Sequence, residues 1–76
     1  MKRDLTSFEA GDSVTITEIS AGHHAAVQLS QLGINTGDRI EIVRTSTLRG
    51  PIIINIRNTE LAIGHGIARK IIGVKV

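Results

Sequence analysis

The chain lacks several residue types on which many small binding and redox proteins depend. Its 76 residues include no cysteine, tryptophan or tyrosine, and only one phenylalanine and one proline. Without cysteine, disulfide bonds, thiol redox catalysis and cysteine-based zinc knuckles are excluded. Single-stranded nucleic acids stack on aromatic rings, and proline-rich peptides dock in aromatic-lined grooves. The sequence therefore predicts neither a nucleic-acid partner nor a proline-rich one.

Strong charge and long apolar runs are also missing. The formal net charge is +2 and the basic residues are scattered, which is weak evidence for a polyanionic partner. No apolar run approaches the ~20 residues that span a bilayer. No apolar segment follows Lys2 and Arg3, as it would in a signal peptide. We therefore expect a cytoplasmic protein with no direct membrane insertion.

Branched aliphatic residues dominate the composition, with thirteen isoleucines, five valines and five leucines. Residues branched at Cβ pack well on a pleated sheet, so this composition favours strands. A chain of this length predicts one domain, residues 1–76. Because closing a sheet removes its exposed edges, we expect a mainly β fold, a small closed barrel of four or five strands. The predicted strands cover residues 14–19, 39–44, 51–56, 61–64 and 73–76, with a tight connection at residues 57–60.

Alternation of apolar residues along these strands predicts which side chains form the core, because successive side chains of a strand point to opposite faces. Leu5 and Phe8 would add an apolar lid at one end. The predicted core residues are Val14, Ile16, Ile40, Ile42, Ile52, Ile54, Ile56 and Leu61.

Short helical segments are predicted between the strands. The spacing in Thr6–Glu9 fits a capping box, so a helical turn is expected to start there. A longer helix carries Leu29 and Leu32 on its apolar face and is expected to end at Gly33, which suits a left-handed residue. A final helical turn is predicted at His65–Lys70.

Three histidines are the only residues that suggest a metal site: His23, His24 and His65. Adjacent residues of a helix point about 100° apart, so His23 and His24 are poorly placed to chelate one ion together. A transition-metal site would need His65, Glu18 or Asp12 to fold nearby. The alternative is that all three histidines are simply exposed. We expect no bound cofactor and at most weak transition-metal binding.

No catalytic motif is recognisable. None of the serines lies in a G-x-S-x-G context, and "GHGIARK" at residues 64–70 lacks the spacing of a phosphate-binding loop. Its glycines open a helical turn that could bind an anion weakly, but a tight corner between strand and helix explains them better. We expect that the protein is not an enzyme.

An ordered set of small motifs extends along nearly the whole chain. Its members are Leu5, Gly11 and Val14, then Leu29, Leu32, Gly33, Ile34, Gly37 and Ile40, then Gly50, Pro51 and Ile52, and finally Leu61, Ala62, Ala68 and Ile71. No single motif is specific, but the order "LGI..G", "GP" and "LA…A..I" resembles the FeoA family, small cytosolic proteins of the bacterial ferrous iron uptake system.

The resemblance implies a five-stranded SH3-like barrel with one or two short helical insertions. It also implies an accessory protein that binds and regulates FeoB, a membrane transporter with a cytosolic GTP-binding domain. The fold recurs in iron-dependent repressors of the diphtheria toxin repressor type, but the sequence shows no DNA-reading helix-turn-helix, so we do not expect a free-standing repressor. Many family members have arginine where this chain has Gln28, so a contact made by that arginine is not expected.

Two functions follow as hypotheses. The first is protein binding, through a surface that combines the helix containing Leu29 and Gly33 with the loop Leu48, Arg49, Gly50 and Pro51, because loops on rigid small barrels commonly carry binding. Leu48 and the outward-facing Ile53 would form an apolar contact patch unless neighbouring elements cover them or Leu48 folds back over the barrel end. The second is a transition-metal-binding module that senses or delivers iron through the histidines.

Overall fold

Six antiparallel strands form one sheet in the computed structural model, which describes residues 1–46 and 48–76. Thr47, in the predicted loop after the second long strand, lies outside the described residues. The strands are accompanied by a 3-10 helix and two α-helices. In chain order the elements are β1 (Arg3–Asp4), the 3-10 helix (Leu5–Ser7), β2 (Ser13–Ile19), α1 (His23–Gln31), β3 (Arg39–Arg44), β4 (Ile52–Ile56), β5 (Thr59–Ile63), α2 (His65–Ala68) and β6 (Ile71–Lys75).

The sheet is open, with strand order β1-β6-β2-β3-β4-β5. The mainly β, SH3-like expectation agrees with this arrangement, but the prediction of a closed, five-stranded barrel is wrong. The chain leaves the edge strand β1 directly into the 3-10 helix and leaves the other edge strand, β5, into α2 after one residue. These two helices contact each other, so helices rather than hydrogen bonds between strands join the two edges. The missed strand, β1, has only two residues and so shows no periodicity.

Two irregularities bend the sheet around its core. The register shifts in β2 between Ile16 and Glu18, and in β3 between Ile42 and Arg44. A bulge bends its strand and increases the local twist. The bulge in β2 explains why Ile19 packs against the core although it is an odd number of residues from Ile16.

The core is entirely apolar and confirms most of the predicted inward positions. Seven of the eight predicted residues are buried, and the eighth, Leu61, is half-buried and packs against them. Leu5 and Phe8 are buried as expected for a lid. The sequence did not predict Ile34 and Ala68, which lie outside the strands. The core residues are Leu5, Phe8, Val14, Ile16, Leu29, Ile34, Ile40, Ile42, Ile52, Ile54, Ile56, Ile63, Ala68 and Ile71.

Two of the three helical segments begin or end at a different residue from the one predicted. The N-terminal helical turn is the 3-10 helix Leu5–Ser7, not a turn starting at Thr6, because the carboxylate of Asp4 caps it by accepting the N–H of Thr6 at 2.8 Å. At the end of α1, Gly33 has φ +85°, which confirms the predicted left-handed position. The last helical turn ends at Ala68 rather than Lys70, so β6 starts at Ile71.

The β4–β5 connection is a two-residue hairpin turn. Ile56 pairs with Thr59, and the two residues between them, Arg57 and Asn58, have φ +50° and +64°. Positive φ at both central positions defines the type I′ turn, whose twist matches that of the flanking strands. The predicted tight turn is confirmed, although β5 begins two residues earlier than expected.

Ile54→Ala should destabilise the protein by about 2–5 kcal/mol, because Ile54 is fully buried and its truncation leaves a cavity. Ile53→Ala is the matched control: the same truncation one residue earlier in β4, at a half-buried position on the opposite face. Urea unfolding of both variants measures the difference. Equal losses would show that the two faces of β4 are packed alike, against the register described here.

Gly73→Ala should also destabilise the protein, by about 1–3 kcal/mol, because a Cβ there overpacks a tight site. Gly73 lies in β6 between β1 and β2, and its Cβ would be 2.5 Å from Cγ1 of Val14 and 2.7 Å from the carbonyl oxygen of Thr15. Gly66→Ala is the control, since nothing lies within 4 Å of a Cβ at Gly66. A Gly73→Ala variant as stable as Gly66→Ala in thermal unfolding would contradict this packing.

Candidate functional site

An apolar groove separates α1 from the end of β5 and the start of α2. It is open to solvent and has a volume of about 380 Å³. None of its lining residues is charged. They are Ala25, Gln28, Leu29, Gln31 and Leu32 from α1 and its C-terminal cap, and Ala62, Ile63, Gly64 and Ile67 from the opposite wall.

The groove combines a buried floor with an exposed apolar rim. Leu29 and Ile63 belong to the core, so their side chains form the floor. Leu32 stands on the rim with 56% of its surface exposed, although it was predicted on the apolar face of the helix. Ile67 is half-buried and packs against the core from the other side. The groove thus leaves apolar surface uncovered between two elements that are fixed in place.

Hydrogen bonds fix the chain just before and just after α1. At its C-terminal end, the guanidinium of Arg57 donates to the carbonyl of Gly33 and lies 3.3 Å from the carboxylate of Asp38. At its N-terminal end, the N–H of Ser20, three residues before the helix, donates to the carbonyl of Lys70 at 2.6 Å. The groove therefore runs from an end near Lys70 to an end near Arg57.

The predicted partner-binding residues fall on two separate surfaces. Leu29 is buried in the groove floor, and Gly33 ends the helix beside Arg57. The loop Leu48–Pro51 precedes β4, whereas Arg57 follows β4. At about 3.3 Å per residue, the five residues of this strand separate the two ends of the hairpin by roughly 17 Å.

The loop before β4 presents its leucine to solvent. Leu48 is 89% exposed, so it does not fold back over the end of the sheet. The hydroxyl of Ser46 accepts the N–H groups of Leu48 at 3.3 Å and Gly50 at 3.1 Å, which orders the loop. Arg49 between them has φ +58°, and Ile53 is half-buried beside Pro51 on the wall of a shallow depression.

The three histidines do not converge with other ligands. His23 and His24 are exposed in the first turn of α1, and His65 is the first residue of α2. Within residues 1–46 and 48–76, no three His, Cys, Asp or Glu side chains lie close enough to hold one ion. The buried Nδ1 of His65 has no hydrogen-bond partner in the part of the chain that the structure describes.

Three carboxylates are committed to the fold, which leaves them unsuited to metal binding. Asp4 caps the 3-10 helix and Asp38 pairs with Arg57. Asp12 accepts the N–H of Glu9 at 2.9 Å and lies 3.2 Å from Nζ of Lys75. The hydrogen bond from Glu9, followed by the interaction with Lys75, holds the pKa of Asp12 below its usual value despite opposing desolvation.

The sequence analysis missed Ala62 and Ile67, which form the wall opposite α1. Ala62 belongs to the family motif, but neither residue was a candidate site residue, because only the packing of α1 against the end of β5 brings them next to Leu32. One sequence signal could have indicated the groove. Leu32 is a second apolar residue near the end of a helix whose core contact is made by Leu29.

Solved structures show which proteins share this SH3-like fold. A crystal structure of an iron uptake regulatory protein, FeoA, matches with a TM-score of 0.87 and 32% identity, covering 100% of this chain and 99% of the other. A manganese-dependent transcriptional repressor matches with a TM-score of 0.88 and 22% identity, covering 99% of this chain but only 42% of the repressor. At 22% identity, the match to the repressor establishes a shared fold and nothing about function.

The sequence comparison identifies the family. The FeoA domain model matches residues 3–75, so the chain belongs to the FeoA family. A protein of Methanocaldococcus jannaschii named "Putative Fe(2+) transport protein A" is 37% identical over 67 residues, which are 88% of this chain and 79% of the relative. In the described residues, no helix is both long enough and apolar enough to cross a membrane.

Metal should not be required for folding. Structural zinc sites need three or four converging ligands, and the described residues bring no three together. The melting temperature is therefore expected to be the same with EDTA as with one equivalent of Zn(II). A large stabilisation by zinc that His65→Ala removes, but His23→Ala does not, would contradict this and would locate a site at the start of α2.

Proposed function

We propose that this protein is a small cytoplasmic accessory protein of ferrous iron uptake, which binds and regulates a FeoB-type membrane transporter by protein contact. It performs no catalysis in this role. Membership of the FeoA family supports the link to iron transport, as do the names of its M. jannaschii relative and of the matching crystal structure. The observation that carries the proposal of protein contact is the open apolar groove along α1.

The groove has the properties of a preformed binding site. Its floor belongs to the core and Ile67 of its wall packs against that core, so docking costs little rearrangement of this chain. Covering a leucine side chain contributes about 1.5–3 kcal/mol when it becomes fully buried, and Leu32 is more than half exposed before binding. The cytosolic GTP-binding domain of the transporter is the proposed partner.

The loop Leu48–Pro51 is a second proposed contact. Leu48 is an exposed apolar residue in an otherwise polar loop, and Arg49 beside it can pair with an acidic group. Pro51 restricts the backbone at the loop's exit and so lowers the entropy lost on docking. The loop and the groove share no lining residue, although Ile63 of the groove floor pairs with Ile52 directly after the loop, so variants at one surface leave the residues of the other unchanged.

A second candidate function is a transition-metal-binding module that senses or delivers iron. The observation that favours it is the buried Nδ1 of His65, which has no described hydrogen-bond partner. A single imidazole is a weak ligand set for iron, so this module would need ligands from the partner protein or from water. Fe(II) titration under anaerobic conditions, with and without His65→Ala, tests it.

Leu32→Ser should weaken binding to the transporter's cytosolic domain by roughly tenfold or more, because an apolar group on the groove rim is lost. Val27→Ser is the matched control: another exposed apolar residue of α1, 40% exposed, that does not line the groove. Isothermal titration calorimetry measures binding, and iron uptake in cells that lack the chromosomal copy measures function. Both variants should keep the wild-type melting temperature within a few degrees.

The double variant Leu48→Ser, Arg49→Glu tests the loop in the same assays. If the loop is a contact, binding and iron uptake fall while folding is unchanged. Wild-type binding by this variant, together with loss of binding by Leu32→Ser, would assign the contact to the groove alone. Wild-type binding by both would contradict the proposed surfaces, and absence of binding by the unmodified protein would contradict the proposed partner.

A further inference from the structure

We infer that the groove accepts an apolar segment of the partner whose acidic residues lie over Arg69 and Lys70. This inference rests on the proposed function for the partner's identity, but it concerns the chemistry of the segment that fills the groove. It follows from the shape of the groove at one end and from the charges that surround that end.

The groove continues past α2 onto a basic surface. A second depression adjoins it and is lined by Gly64, Gly66, Ile67, Arg69 and Lys70. Gly64 and Ile67 line both depressions, so the apolar groove opens directly beside the two basic side chains. A segment lying in the groove and leaving by this end would pass over them.

The charges at this end are not neutralised within the fold. Arg69 and Lys70 are both exposed, and neither forms a salt bridge in the described part of the chain. Glu18, the carboxylate nearest along the chain to Ser20, pairs with neither of them. The first turn of α1, which also lies at this end, contains no acidic residue and has no side-chain cap, so its dipole adds potential of the same sign.

The opposite end of the groove differs in charge. There Arg57 is paired with Asp38, and Glu60 is exposed on β5 two residues before Ala62. Successive residues two apart share a face of a strand, so Glu60 places a negative charge on the side of β5 that carries Ala62. The groove therefore has a polarity, and it favours a segment with its carboxylates at the α2 end.

The charge-reversed variant Arg69→Glu, Lys70→Glu tests this directly. Binding to the transporter's cytosolic domain should weaken by roughly tenfold at low salt, because attraction becomes repulsion at the groove's exit. The control is Lys2→Glu, Arg39→Glu, which changes the net charge equally at two exposed residues that do not line the groove. Raising the salt concentration should weaken wild-type binding and narrow the difference between the two variants.

A pair of synthetic peptides tests the same chemistry without the transporter. Both are 12-residue peptides with the same leucine-rich apolar sequence, and they end in three glutamates or in three lysines. In NMR titrations the glutamate peptide should shift the amide signals of Gln28, Leu32 and Ile67, and it should bind at least roughly fivefold more tightly than the lysine peptide. Leu32→Ser should reduce the response, and Arg69→Glu, Lys70→Glu should reverse the preference.

The outcomes separate this inference from the proposed function. If the transporter domain binds the wild type and the charge-reversed variant equally, the inference is wrong and the proposed function stands. If the domain does not bind but the glutamate peptide does as described, the groove's chemistry stands and the proposed partner is wrong. Equal affinity for both peptides, a dimer that Leu32→Ser dissociates, or binding only to anionic phosphatidylglycerol vesicles would each overturn the inference.

Discussion

The structure depends on how its open sheet covers an apolar inner face. The core consists of aliphatic residues and one phenylalanine, and no strand pairing in the described residues joins the two edge strands, β1 and β5. The 3-10 helix and α2, which follow those strands directly, contact each other there. Leu5 from one helix and Ala68 from the other are completely buried. Helices thus complete the enclosure that a closed barrel would achieve with a ladder of hydrogen bonds.

This solution creates the groove. The short helix α2 covers the gap beside β5, while α1 is anchored by Arg57 at one end and through Ser20 at the other. The apolar strip between α1 and α2 remains open. The groove is therefore a preformed apolar surface. Leu32, the exposed leucine on its rim, would bury the most apolar area when a partner binds.

The local structure was largely predictable because alternation and turn chemistry are local signals. Arg39–Arg44 was predicted with its observed ends, and Gly33 with its left-handed conformation. The two-residue β1 has no period to detect, and the open sheet depends on helices that meet across the gap. The groove could not be predicted, because it depends on the tertiary placement of Ala62 and Ile67 against α1. The three histidines suggested a metal site in the sequence, but the fold does not bring them together with carboxylates in the described residues. Asp12 and Asp38 pair instead with Lys75 and Arg57.

The central claim is that the groove left by the helices that cover the open sheet is the surface that binds the partner. The most direct test is a ¹⁵N–¹H NMR titration of this protein with the cytosolic GTP-binding domain of a FeoB-type transporter. The account predicts that amide signals change along both walls, in residues 25–32 and 62–70, while signals on the outer side of β2 and β3 stay in place. Changes confined to the loop at residues 48–51, or no changes at saturating concentrations of the domain, would contradict it.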